Sequence, residues 1–326
     1  MWIEIARNGV WVYIQSKSYK RIYDIVTPYF ECRVLDDEKL MKSNSWKILH
    51  EYKIKENMIE IIPHIEGDKE PKRKYYVDKQ NKTIIIAEPT SKEFVLQISI
   101  RLARDIIKHT LMQEGYCFLH GGMIVYHDNG ICFLGEKMHG KTSFLLSTLA
   151  TSEAHYVTND DVTIDAKDGM IEGIGWPRAI SVRKDSVGLM NSVLNKYSFE
   201  ISFSHPDNSI EDLSGSYFYY VNELAGIFKC DIVPKAKVDC FIYLQFTDED
   251  FCVVEVTGED KKKLLQRFVD PEVSKYFLDF KGYFGNCENL LTDEIVQGLE
   301  NIPFYIVSQN IKKMDEVQGW IEGITK

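Results

Sequence analysis

One stretch restricts what this chain can fold into more than any other: Gly135-Glu136-Lys137-Met138-His139-Gly140-Lys141-Thr142. It fits the pattern G-x-x-x-x-G-K-[ST]. That pattern turns several backbone N–H groups onto one anion and adds the positive end of the following helix. Such a loop needs a buried strand before it and a helix after it. Ile131-Cys132-Phe133-Leu134 supplies an apolar strand, and Ser143-Phe144-Leu145-Leu146-Ser147-Thr148-Leu149-Ala150 supplies a helix. The expected class is therefore α/β. Gly135, Glu136, Lys137, Met138, His139, Gly140, Lys141, Thr142 and Ser143 form the expected nucleotide-binding set. Lys141 would reach the terminal phosphates, and the Thr142 hydroxyl would help hold Mg²⁺.

The 326 residues suffice for one large domain or two, and 44% of them are hydrophobic. The formal net charge is −10, with acids scattered among bases. Neutralising phosphates needs a basic face, so this balance argues against a nonspecific nucleic-acid binder, and no nucleic-acid partner is expected. No apolar run reaches the length of a membrane span, and Met1-Trp2-Ile3-Glu4-Ile5 does not read as a signal peptide. The seven cysteines show no C-x-x-C spacing. They imply neither zinc nor a disulfide framework, and they suit a reducing cytoplasm.

Residues 1–90 read as a small β-rich domain and residues 91–326 as the nucleotide-binding domain. Trp2-Ile3-Glu4-Ile5 and Trp11-Val12-Tyr13-Ile14 are strand-like, and Lys74-Tyr75-Tyr76-Val77 with Thr83-Ile84-Ile85-Ile86 reads as a hairpin. A long helix follows, with apolar periodicity through Phe94, Ile98, Leu102, Ile106 and Leu111 as far as Gly115. Arg101, Arg104 and Lys108 share helical spacing and are expected on its solvated face.

A second hairpin is expected from Met123 to Leu134, turning on Asn129-Gly130, a dipeptide suited to two positive φ angles. That register places Val125 and Ile124 opposite Leu134 and Gly135. His120 would then lie roughly 13 Å further along the strand, on the side where the glycine loop curls.

Phosphoryl transfer asks for a phosphate cradle, a metal and a group that orients or deprotonates the attacking hydroxyl. His155-Tyr156-Val157-Thr158 is a strand-like run ending in Asn159-Asp160-Asp161. Two adjacent carboxylates at a strand end repel unless a cation sits between them, and Mg²⁺ would satisfy them. In Gly173-Ile174-Gly175-Trp176-Pro177-Arg178, Arg178 is a candidate for clamping phosphate or substrate. Lys235 and Lys237 are further candidates to bring charge to the site. No N-K-x-D guanine motif is present, so ATP is the expected nucleotide.

Taken together these residues resemble the catalytic domain of HPr kinase/phosphorylase and its relatives. The order Leu119-His120-Gly121, the hairpin from Met123, the glycine loop and Asp160-Asp161 carries the resemblance, helped by the late strand Asn301-Ile302-Pro303-Phe304-Tyr305-Ile306-Val307. It implies a P-loop domain with a mixed sheet and flanking helices over roughly residues 95–326. It also implies that Asp160 is the base on the acceptor hydroxyl, that His120 assists it, and that Asp161 and Thr142 lie near the metal. The loop differs from the family in carrying Glu136, Lys137, Met138 and His139 where small residues prevail. The Glu-Arg-Gly-rich signature of true HPr kinases is missing, so HPr is not the implied substrate. The expected activity is ATP-dependent transfer to a hydroxyl of a small-molecule or natural-product biosynthetic intermediate. A peptide or protein serine kinase and a non-catalytic nucleotide sensor are the alternatives, and a homo-oligomer is left open.

Overall fold

The computed structural model describes residues 1–50, 52–63, 70–87, 91–151, 153–190, 204–211, 215–270, 281–284 and 288–326. It is a mixed α/β structure that divides into two units. One comprises Met1–Glu114, Phe203–Ser214 and Glu272–Glu288; the other comprises Gly115–Ser202, Gly215–Pro271 and Asn289–Lys326.

The first unit holds a seven-stranded mixed sheet in the order β3-β1-β2-β4-β7-β6-β5. Its strands are β1 (Trp2–Arg7), β2 (Val10–Gln15), β3 (Glu31–Leu35), β4 (Trp46–His50), β5 (Ile59–Ile61), β6 (Lys74–Asp78) and β7 (Thr83–Ala87). β1 and β2 are joined through Asn8 and Gly9, both at positive φ, which suits the right-handed twist of a tight hairpin. The hairpin expected at 74–86 forms as β6 and β7, with Val77 opposite Ile84. Helix α1 (Tyr19–Val26) buries Ile22, Ile25 and Val26.

Helix α2 (Lys92–Gln113) starts at Ser91, whose hydroxyl accepts from the Phe94 N–H. It belongs with this sheet, packing on β2 and β4, so the division differs from the sequence boundary at residue 90. That boundary itself falls at 88–90, outside the described residues. The reason is chemical: α2 is buried over most of its surface, far more than one apolar stripe, and a single loop connection does not decide which sheet it covers. The charged face expected to be solvated is largely buried too, with Arg101 only partly exposed. Arg101 forms a double hydrogen bond with Glu70, Arg104 pairs with Asp105, and Lys108 is wholly inaccessible. Two guanidiniums, Arg101 and Arg73, hold the buried Glu70 carboxyl below its usual range against the opposing effect of burial, which is the largest single influence.

The second unit holds a six-stranded sheet, β11-β9-β10-β17-β19-β18, and a four-stranded sheet, β16-β13-β12-β8. The strands are β8 (Cys117–Leu119), β9 (Gly121–Tyr126), β10 (Asn129–Leu134), β11 (Ala154–Thr158), β12 (Val162–Lys167), β13 (Met170–Ile174), β14 (Ile180–Arg183), β15 (Ser216–Tyr219), β16 (Lys235–Lys237), β17 (Cys240–Phe246), β18 (Cys252–Glu255) and β19 (Phe304–Gln309). β14 and β15 pair separately. Leu119, Cys132, Leu134, Val162, Ile164, Phe241 and Phe304 lie in one continuous apolar core. Helix α3 (Lys141–Leu149) follows β10 and is buried along its length apart from Thr142. Among the described residues no helix is long and apolar enough to cross a membrane.

The β9–β10 hairpin corrects the expected register. The turn is made by His127 and Asp128, both at positive φ, and Leu134 faces Gly121. Gly130 is drawn into β10 because its missing side chain serves another purpose. A Cβ there would lie 1.9 Å from the Lys237 carbonyl oxygen; the Gly130 N–H donates to the Asp239 carboxylate (2.9 Å), and the Asp239 N–H donates to the Gly130 carbonyl (2.8 Å). The four-residue shift brings His120 to the very start of the glycine loop instead of 13 Å beyond it.

Candidate active site

Strand directions explain where the charged residues meet. β9 is antiparallel to both β10 and β11, so β10 and β11 run the same way, and β17 and β19 are parallel to β10. The end of β10 (Leu134), the start of β9 (Gly121) and the end of β11 (Thr158) therefore share one edge of the sheet. Ligand sites of α/β sheets form at such carboxyl ends.

At this edge the chain crosses twice between the two sheets. β8 runs into β9 through His120, and β11 runs into β12 through Asn159-Asp160-Asp161. β8 and β12 are themselves paired, Leu119 opposite Val162. That pairing brings His120 beside the acidic pair. A bulge at Val157 in β11 and the Thr158 hydroxyl donating to the Asp161 carbonyl (3.0 Å) shape the second crossing. Gly122 is required here, because a Cβ would meet the Phe133 ring at 2.2 Å and the Asn159 carbonyl at 2.4 Å.

Lys141 is 8% exposed. Its ammonium donates to the Gly135 carbonyl (2.6 Å) and the Glu136 carbonyl (3.3 Å), and lies 3.3 Å from His120 Nε2. Burial lowers its pKa from the usual value, while the Asp160 and Glu136 carboxylates partly restore it. His120 Nε2 is also 3.5 Å from Asp160 Oδ1. One ring nitrogen thus stands between a donor and an acceptor. With its proton on Nδ1 it accepts from Lys141; protonated at Nε2 it faces Asp160. Arg178 lies 3.4 Å from Asp160 and 3.7 Å from Asp161. Its loop is anchored by Trp176, fully buried, whose indole donates to Thr163 (2.7 Å).

The structure thus gathers Lys141, His120, Asp160, Asp161 and Arg178. Thr142 and Ser143 open α3, and Glu136, Lys137 and Met138 face solvent. Met138 has φ 68°, a conformation that costs a non-glycine residue about 1–2 kcal/mol. Lys235 and Lys237 do not reach the site; they pair with Glu172 and Asp239. Among the described residues no three His, Cys, Asp or Glu side chains form a metal cluster. The donors present, two adjacent carboxylates and a loop hydroxyl, suit Mg²⁺, which commonly takes one or two carboxylates and completes its shell with phosphate and water.

Sequence patterns do not single out two supports of the loop. Gln309, fully buried at the end of β19, donates to the His139 carbonyl (3.1 Å), and Phe246 ends β17 beside Gly140. Both sit at carboxyl ends of strands parallel to β10, which is the signal that finds them. Gly140 itself has φ 91°, and a Cβ there would lie 2.3 Å from Gln309 Nε2 and 2.6 Å from the Phe246 ring. Gly140→Ala is expected to lose about 1–3 kcal/mol of stability and to displace the loop, since both strain and overlap oppose it. Thermal melts and nucleotide titration check this; a variant that melts and binds like wild type would show the loop to be more plastic than its contacts allow.

No protein-family model and no curated protein matches the chain. Among solved structures it is similar to the Hpr(Ser) kinase/phosphatase from Coxiella burnetii, with 11% identity and a TM-score of 0.31, over 64% of this chain and 96% of that one. Identity and score of that size do not carry a function across.

Proposed function

We propose that this chain is an ATP- and Mg²⁺-dependent phosphotransferase of the HPr-kinase-like type, acting on a hydroxyl of a small-molecule or natural-product biosynthetic intermediate. The observation that carries the reading is that His120 Nε2 lies 3.3 Å from the Lys141 ammonium and 3.5 Å from Asp160 Oδ1, at the mouth of the glycine loop. In this reading the loop backbone and Lys141 hold the phosphates. Mg²⁺, held by Asp161 and Thr142, would offset phosphate charge. Asp160 accepts the acceptor's proton as the acceptor oxygen bonds to the γ-phosphorus and the bond to the β-phosphate oxygen breaks, releasing ADP. His120 orients Asp160, and Arg178 neutralises the paired carboxylates until substrate enters.

The test is ADP release from Mg-ATP across a panel of hydroxyl acceptors covering sugars, nucleosides, other small alcohols and serine peptides. Stimulation by a small alcohol that disappears in Lys141→Ala and Asp160→Asn is the expected result. Stimulation by serine peptides alone would move the acceptor class to peptide. Tight nucleotide binding with no release under any acceptor would leave a nucleotide sensor.

A further inference from the structure

Glu136 is an awkward residue for a phosphate loop, because a carboxylate at the loop's first variable position repels the ligand. In this chain that carboxylate is occupied. Arg267 Nη2 lies 2.9 Å from Glu136 Oε1, across a long sequence separation. Arg267 follows the helix Glu259–Gln266, and the segment that carries it is fastened to the site at three points. His120 N–H donates to the Phe268 carbonyl (2.8 Å), Asp270 N–H donates to the Phe118 carbonyl (2.9 Å), and Val269 bridges to Leu119. The guanidinium also rests over the rings of Tyr243 (5.7 Å) and Phe268 (5.9 Å). Tyr243 is the residue paired with Leu134, the last of the strand that feeds the loop.

We propose that Arg267 is a ligand for the terminal phosphate of the bound nucleotide, and that Glu136 holds it beside the loop until the phosphate takes it over. The proposal rests on the nucleotide reading of the glycine loop. Three carboxylates at the site, Glu136, Asp160 and Asp161, face three cations, Lys141, Arg178 and Arg267. A nucleoside triphosphate adds more negative charge than one divalent ion cancels, which favours a further cation turning to it. Arg178 is engaged by two carboxylates. Arg267 is engaged by one, in a pair whose side chains are 54% and 50% exposed, and exposed pairs are weakly held. The aromatic shelf limits the guanidinium's orientation, so exchange from carboxylate to phosphate needs a small side-chain shift. Its planar fork, with five N–H donors, suits phosphate oxygens.

The experiment is calorimetric titration of wild type, Arg267→Ala, Arg267→Lys, Glu136→Gln and the Glu136→Gln/Arg267→Ala double variant. The probes are Mg²⁺ with the β,γ-imido analogue of ATP, and Mg²⁺ with ADP. Arg267→Ala is expected to weaken the triphosphate by about tenfold or more, and ADP much less, as loss of a hydrogen bond to a charged group implies. Arg267→Lys should recover part of that loss. Glu136→Gln should tighten the triphosphate in wild type, where it also frees Arg267, and by a different factor in the Arg267→Ala background, where it removes only the repulsion of an unpaired carboxylate. Equal weakening of both nucleotides, or the same Glu136→Gln effect in both backgrounds, overturns the assignment. Lys141→Ala separates the two levels of failure. If it abolishes binding while Arg267→Ala leaves binding unchanged, only this inference falls; if wild type binds neither nucleotide, the nucleotide reading falls as well.

Discussion

Asp160→Asn is expected to slow phosphoryl transfer by about 10²–10⁴-fold, the usual contribution of general-base assistance, while nucleotide affinity near neutral pH stays close to wild type. Asparagine keeps the shape of the side chain and loses its ability to accept a proton and its charge. Asp160 is the carboxylate that both His120 (3.5 Å) and Arg178 (3.4 Å) approach, so its loss removes the group on which they converge and leaves the loop intact. Arg178 retains Asp161 at 3.7 Å, which limits collapse of the pair. A secondary effect follows from Lys141. Asp160 is the strongest influence raising that ammonium's pKa, so the variant should lose triphosphate affinity at a lower pH than wild type does. Single-turnover transfer and equilibrium binding measured on the same preparations separate the two effects. Turnover at the wild-type rate would remove Asp160 from the mechanism.

The core of this site is legible in the sequence because it rests on local rules. A glycine loop between an apolar strand and a helix needs no distant contact to be recognised, and Asp160-Asp161 ends a strand that forms where its β-rich composition predicts. His120 shows how a local rule fails and still points to the right place. Asn129-Gly130 is a strong turn signal, yet Gly130 is needed for close backbone approach to Lys237, and the turn moves to His127-Asp128. The price of the tertiary contact is a positive φ at two residues with side chains. Other parts were hidden because they depend on pairing at long range. Arg178 meets the aspartates only because Trp176 locks its loop to Thr163, and Gln309 meets the loop only after β19 has paired with β17. The buried charges of α2 are hidden for the same reason. Helical spacing marks Arg101, Arg104 and Lys108 as one face, but only the fold shows Glu70 brought to Arg101.

Lys141→Met is expected to remove triphosphate binding, lowering turnover by at least about 10²-fold at subsaturating ATP, the scale on which one donor to developing phosphoryl charge is felt. Methionine fills much of the same space without charge, so the variant tests the ammonium and not the packing. The residue also predicts a pH signature. Burial depresses the folded-state pKa of Lys141 below its usual value. Between that depressed value and the unfolded one, the unfolded chain binds more protons, so Lys141 makes the ligand-free protein more stable as pH rises through this alkaline window. Below the window the full cost of burying the charge remains. Phosphate binding has the opposite dependence, because a triphosphate favours the charged ammonium and its affinity falls as the proton is lost. One residue therefore drives ligand-free stability up and nucleotide affinity down over the same pH range. Melting temperatures of wild type and Lys141→Met with and without ATP, taken from neutral to alkaline pH, expose both slopes as a difference in which other titrating groups cancel. If the variant keeps wild-type affinity, or the two slopes share a sign, Lys141 is not the phosphate ligand and its burial serves the fold alone.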